Sequence, residues 1–274
     1  MRVLFFIVFL LFAFYSFTLL LPIFWGLVSS LKTPYEFWSP EFFFSKPQFG
    51  NYVQAWKSLE YNGTTFPLML WNSIWFSVGS VVINLFFTAL VSYIIAKYQF
   101  RGNKVIFNVV IVSMMIPLYG TFPATYKLYH QLGWTDSYLI LLSATGVFGM
   151  SFILLTSYFR NLSWSFAESA MIDGAGHFRV FWSIMLPLAK PMLVAMFMLS
   201  FIGKWNDYMA AILYLPNKLT LAAGLFKYQE IAVQRGLLPI LFAGLFIVMV
   251  PVLVLFSAFN GAMMKNMTFG GLKG

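Results

Sequence analysis

Residues 160–187 read RNLSWSFAESAMIDGAGHFRVFWSIMLP, a polar island between two long apolar stretches. Ser165-Phe-Ala-Glu168 has the spacing of a capping box, which predicts a helix start. Gly174 and Gly176 offer left-handed or flexible positions that stop it about two turns later. A second short helical segment, 177–185, then runs to Pro187. Together they predict a compact helix–turn–helix at a membrane surface, shaped as a docking knob.

Working outward, the flanks define the fold class. Spanning a bilayer takes about 20 apolar residues. Residues 4–28, 69–96, 105–125, 137–159 and 237–262 meet this cleanly. A sixth stretch, 189–213, carries Lys204 and Asp207. A charge at the centre of a spanning helix costs about 2.5–3.5 kcal/mol. These two stand at i, i+3, where they can pair across one turn, and nearer one end than the centre. The expectation is an all-α polytopic membrane protein: one domain, 1–274, with six transmembrane helices and a cytoplasmic link, 160–187, between the fourth and fifth.

Composition supports the bilayer as solvent. The chain is 61% hydrophobic and only 9% charged, against about 25% charged in soluble domains. Arg2 is followed by an uncharged stretch from Val3 to Leu31, longer than a signal-peptide core, and is expected to be a retained span. The net charge of +9 is scattered over short polar breaks, which excludes a nucleic-acid face. Lys97, Arg101, Lys104, Arg160, Arg179, Lys190, Lys265 and Lys273 fall with Arg2 on one side. The positive-inside tendency makes that side, and both termini, cytoplasmic. The other side carries Lys32, Lys46, Lys57, Lys127, Lys218, Lys227 and Arg235, spread over longer loops among five acids. The loop at 29–68, rich in Pro and aromatics, is expected to form turns and extended pieces near the interface.

Enzyme chemistry finds no support. With no cysteine there is no thiolate ligand or Cys nucleophile. His130, expected in a loop, and His177, on the docking surface, lack zinc spacing, so no metal is expected. Gly149-Met-Ser151 has no assignable partner His. Gly203-Lys204 is not a P-loop, because Met198 stands at the first Gly position and Trp205 at that of Ser or Thr. The 33 Phe and 15 Met are read as lipid-facing or packing residues.

The link carries a family pattern. Glu168-Ser169-Ala170, then three residues, Gly174, nine residues and Ile184-Met185-Leu186-Pro187 resembles the E-A-A motif of membrane subunits of binding-protein-dependent ABC importers, with Ser169 for Ala. Further features look like carbohydrate permeases of the maltose-transporter type, in particular the six-helix partner. They are Pro22 to Trp25, Ser30 to Lys32, Asn51-Tyr52, Ala55-Trp56, Asn72-Ser73, Tyr93 to Lys97 with Gly102, Trp205-Asn206 and the tail Phe269 to Gly274.

The resemblance implies a bacterial inner-membrane sugar importer working by alternating access. Its partners are a second, different permease subunit, two ATPase subunits and an extracytoplasmic sugar-binding protein, in membrane lipid. No cofactor is bound by this chain, and ATP and Mg reside on the ATPases. Glu168, Ser169, Ala170, Asp173, Gly174, Ile184, Leu186 and Pro187 are the expected ATPase-coupling residues. Glu168 is an ATPase contact, its own helix cap, or both. Asp173 is a contact or a helix-end residue. Lys204, Trp205, Asn206 and Asp207 are candidate pathway residues. Alternatively the two charges face headgroups, and Trp205 and Asn206 pack helix five against its partner. The loop from Tyr214 to Gly236, small and flexible from Thr220 to Gly224, is expected either to reach the binding protein or to be a linker. The remaining alternatives are the same machine carrying a polyol or glycerol phosphate, and an ion-coupled secondary transporter. No repeated halves favour the latter.

Overall fold

The computed structural model describes residues 2–116 and 120–267. The chain runs α1 (Arg2–Ser30), α2 (Pro34–Phe37), α3 (Gly50–Ser58), a hairpin of β1 (Glu60–Tyr61) and β2 (Thr64–Thr65), and α4 (Phe66–Lys97). Then come α5 (Asn103–Met115), α6 (Phe122–Gln131), a 3-10 helix (Tyr138–Thr145) and α7 (Met150–Asn161). The link holds α8 (Ser165–Ile172), α9 (His177–Val180), a π turn (Phe181–Met185) and α10 (Leu186–Leu188). α11 (Lys190–Trp205), α12 (Tyr208–Tyr214), α13 (Leu221–Gln234) and α14 (Leu238–Met267) follow.

Three helices are long and apolar enough to cross a membrane unbroken: α1, α4 and α14. Two further stretches pass the same test only as bent pairs. The 3-10 helix and α7 meet at 54°, and His177–Leu188 and α11 at 72°. By length and composition the described residues therefore hold three to five spans. The expected stretch 105–125 is divided between α5 and the start of α6, with 117–119 outside the described residues. At 1.5 Å per residue α5 is about 20 Å long, short of the ~30 Å hydrocarbon core. The family-like tail 269–274, with Lys273, also lies outside the described residues.

Several local expectations are corrected. Stretch 189–213 is broken, not continuous: α11 ends at Trp205 and α12 begins at Tyr208, with Asp207 as N-cap accepting from Ala210 N at 3.1 Å. The cap supplies a partner that an unbroken helix would have given internally. His130 lies in α6, not in a loop. The outer loop at 29–68 holds α2, α3 and a hairpin besides turns. The hairpin turn is Asn62-Gly63, both at positive φ, the pairing favoured in tight hairpins. The flexible reading of 220–224 is overturned, because those residues begin α13. Thr220 caps it by accepting from Ala223 N at 3.4 Å.

Contacts group the chain into two units, residues up to 70 with 220–251, and residues 71–219 with the chain from 252. In the first, α13 is packed through Leu221, Ala223, Leu225, Tyr228 and Ala232, all buried, and Leu59, Phe66 and Met69 share that core. Gly224 sits so close to Met69 that a Cβ there would collide with the Met69 thioether. In the second, a buried cluster joins α4 (Ala89, Tyr93), α7 (Leu155, Phe159) and the link (Ala167, Val180, Phe181, Met185, Ala189).

Candidate functional site: a docking knob and a polar cavity

The knob is built differently from its sequence signature. Ser165 is the first residue of α8, not its cap. The N-cap is Trp164, in helical conformation and without a side-chain cap bond. Ser163 Oγ instead accepts from Ser165 N at 3.3 Å, and Ser169 Oγ donates back to Ser165 O at 2.9 Å. The capping-box role expected of Glu168 is therefore not formed, because the helix starts one residue too early for it. Glu168 remains in the first turn, exposed, where its charge favours the helix dipole.

The end of α8 follows the expected glycine chemistry. Gly174 has φ +83°. Its N–H bonds Met171 O at 3.0 Å, and Ala175 N bonds Ala170 O at 2.9 Å. This pair is a Schellman closure, with Asp173 as C-cap and Gly174 in the left-handed position just beyond. Gly176 is corrected: at φ −72° and ψ 160° it is extended and opens α9.

The second half of the knob is shaped by Pro187. Lacking an N–H, Pro187 cannot bond Ser183 O. The preceding turn widens to π geometry, and Leu186 N reaches Phe181 O. Ile184 and Leu186 pack on the buried cluster, half-buried, whereas Pro187 is exposed.

The knob is locked to the helix ends above it. Lys97 Nζ donates to Leu162 O at 2.5 Å, and Arg160 stacks over Phe107 at 4.5 Å. A chain of polar rings joins Tyr93 Oη, Tyr98 Oη and His177 Nδ1 at 3.3 and 2.9 Å. Its outer surface presents Glu168, Ser169, Asp173, Gly174, His177 and Arg179, all exposed. Phe166 and Ile172 are exposed with them, Ile172 to 86%, whereas Phe178 and Trp182, also exposed, stack on each other beside Phe86 of α4. The sequence reading missed these apolar residues. Sequence cannot separate an outward Ile from a core one on a helix of two turns.

The four pathway candidates divide. Lys204 Nζ and Asp207 Oδ2 pair at 3.1 Å, as their spacing implied, and the ammonium lies 5.3 Å over the Phe76 ring. Both line a cavity of about 520 Å³ with Ser80, Asn84, Ser143 and Ser200. Tyr129, Tyr214 and Phe76 give it aromatic walls. Asn84 donates to Ala144 O and Gly146 O at 3.2 and 2.6 Å, holding the break that ends the 3-10 helix. Trp205 and Asn206 are outside this lining. Trp205 is buried beside Phe201, ring centroids 5.3 Å apart, and Asn206 Nδ2 caps Ile202 O at 2.9 Å. The polar stripe of α4 that supplies Ser80 and Asn84 is legible in sequence, but which partner it faces is not. Among the described residues no cluster of His, Cys, Asp and Glu is placed to hold a metal ion.

Known proteins resemble this chain in sequence and in fold. The binding-protein-dependent transport system inner membrane component family matches residues 88–267. The chain is 28% identical to the diacetylchitobiose uptake system permease protein NgcG of Streptomyces coelicolor, over 90% of this chain and 82% of that one. It is 29% identical to the galactooligosaccharides transport system permease protein GanQ of Bacillus subtilis, over 97% and 94%. It is 30% identical to the arabinooligosaccharides transport system permease protein AraQ of Halalkalibacterium halodurans, over 74% and 73%. Its fold matches a chain of a bacterial ABC transporter involved in the import of the acidic polysaccharide alginate, with TM-score 0.78, 22% identity and coverage of 95% and 96%. With its apolar spans and surface knob, the chain belongs to the binding-protein-dependent transport system inner membrane components: it is a multi-pass permease subunit of an ABC transporter, not an enzyme.

Proposed function

We propose that this chain forms half of the translocation pathway of an ATP-driven sugar importer in the bacterial cell membrane. In this reading residues 1–274 are one transmembrane domain with six spans and both termini cytoplasmic. A second, different permease supplies the other half of the pathway. Two ATPase subunits, which carry ATP and Mg, dock on the cytoplasmic link 160–187, and an extracytoplasmic binding protein delivers the sugar.

The observation that supports this most is the construction of the knob. Its backbone is closed at Gly174, its inner face is buried against α4 and α7, and its outer face shows Ile172 and Glu168. A load on the outer face therefore moves helix ends rather than deforming a loop. Glu168, Ser169, Asp173 and Gly174 form the contact face. Ala170, Ile184, Leu186 and Pro187 shape and seat it. Lys204 and Asp207 line the pathway, while Trp205 and Asn206 hold the break beside it. Sugar as cargo is supported by the oligosaccharides named for the relatives and by hydroxyl, amide and aromatic groups around the cavity.

The test is a pair of substitutions in the assembled transporter. Glu168→Lys should leave the permease inserted and release the ATPase, or uncouple its hydrolysis from transport. Glu168→Gln, which keeps the side chain's size but not its charge, should be milder. A reversed charge on a facing ATPase residue should restore part of the Glu168→Lys loss. Normal transport by both variants refutes the coupling assignment.

A further inference from the structure

Among the described residues of its own unit, helix α1 is nearly unsupported. None of its most apolar 18-residue window is buried, and burial begins only in its last turns, at Gly26, Val28, Ser29 and Ser30. The segment that follows uses its polar groups internally. Lys32 Nζ donates to Glu41 O at 2.6 Å, and Gln48 N to Leu31 O at 2.8 Å. Asn51 Nδ2 donates to both Ser30 O and Lys32 O at 2.8 Å. The Glu36 carboxylate closes a capping box with Thr33 and also accepts from Ser45 N at 2.9 Å. Those bonds, Thr33's first, hold the Glu36 pKa down to about 2. The segment is thus tied as a ring around its own polar centre.

Its outer surface is aromatic. Tyr35, Trp38, Phe43 and Phe49 are each more than 60% exposed, and Phe42 44%. Phe42 and Phe43 meet at 5.0 Å, and both reach Phe24 of α1, at 6.2 and 6.4 Å. The patch is therefore continuous with the outward apolar surface of a membrane-spanning helix. A 29-residue helix is about 43 Å long, which exceeds the ~30 Å hydrocarbon core and ends in the headgroup layer. Trp and Tyr favour that layer, where an apolar ring and a polar edge are both satisfied.

We propose that residues 33–49 form a lipid-binding collar, with Trp38, Phe42 and Phe43 seated at the headgroup–acyl boundary of the leaflet at the Ser30 end of α1. The collar holds the depth of a helix that its own unit grips only at one end.

The chain has no native cysteine, so single labels are unambiguous. Phe43→Cys and Trp38→Cys, each carrying a nitroxide, are assembled into the complete transporter in phospholipid nanodiscs. Collision rates with oxygen, which concentrates in lipid, and with a water-soluble nickel chelate are then read. Phe14→Cys, in mid-α1, and Lys57→Cys, an exposed charged position, serve as references. The expected oxygen-to-nickel ratio at both collar sites is several-fold above that of Lys57→Cys and below that of Phe14→Cys. A ratio like that of Lys57→Cys at either site places the collar in water and overturns the proposal. Low collision with both reagents at either site means that another subunit covers the patch, and overturns it equally.

Discussion

The link at 160–187 and the segment at 214–236 are both connections between apolar stretches, and they are built in opposite ways. The link turns its small and apolar residues inward (Ala167, Val180, Phe181, Met185) yet leaves Phe166 and Ile172 facing out. Helix α13 spends its small residues on packing: Leu221, Ala223, Leu225, Tyr228 and Ala232 are buried and even Gly224 is in close contact, while Phe226 and Val233 stay about half exposed. Large apolar groups kept exposed on a short rigid element mark a surface awaiting a partner. Small residues packed without room mark a support. Substitutions in the link should therefore disturb coupling and spare stability, and those in α13 should do the reverse.

The largest effect is expected at Ile172. Ile172→Asp puts a charge where an ATPase contact would bury it unpaired. Coupled transport should fall at least tenfold, about 1.4 kcal/mol, while thermal stability of the isolated permease is unchanged. A loss of stability instead would make Ile172 a structural residue and erase the contrast.

Next is Gly224→Val. Met69 is fully buried, so its flexible thioether would have to repack inside a filled core; overpacking should cost about 1–3 kcal/mol, read as a lowered unfolding temperature. The pair should couple: adding Met69→Ala to Gly224→Val should recover part of the loss, and strict additivity would show that the two do not meet.

A smaller effect is expected for Gly174→Ala. Its φ of +83° costs an L-residue about 1–2 kcal/mol. That strain is local to the knob, so ATPase affinity should weaken while helix content stays constant. If stability falls and ATPase affinity does not, the Schellman closure belongs to the fold rather than to docking.

The smallest is Thr220→Ala, which removes the α13 cap and should cost about 1 kcal/mol of stability. Transport normalised to folded protein should not change. A specific transport defect would return 214–236 to the functional side of the comparison.

Much of the candidate site was legible because its signals are local. Gly174 is read from the positive φ that a helix exit needs, and Lys204 with Asp207 from their spacing of three. The capping box failed for a local reason too: Ser163 competes for the Ser165 backbone, and α8 starts earlier than the Ser-x-x-Glu pattern implies. The break at 206–207 was missed because the whole 189–213 stretch is apolar enough to span. A side-chain carboxylate taking over a backbone bond changes hydropathy by nothing. The helical state of α13 was missed because Thr220 to Gly224, small and turn-prone by composition, becomes ordered through contact with Met69, 155 residues away from Gly224.

What the sequence determined by itself is the solvent and the punctuation. A chain with 9% charged residues and several long apolar stretches has to place its backbone in lipid as hydrogen-bonded helices. Pro187 and Gly174 set where helices bend or stop, because the constraint lies within the residue. The tertiary structure decided which face of each helix is spent on packing and which is left over. Ile172 and Val180 are both aliphatic residues, each the last of its short helix, α8 and α9, yet one is 86% exposed and the other fully buried. That difference depends on which distant helix ends occupy the space beside them. Periodicity along one short helix carries no record of its neighbours.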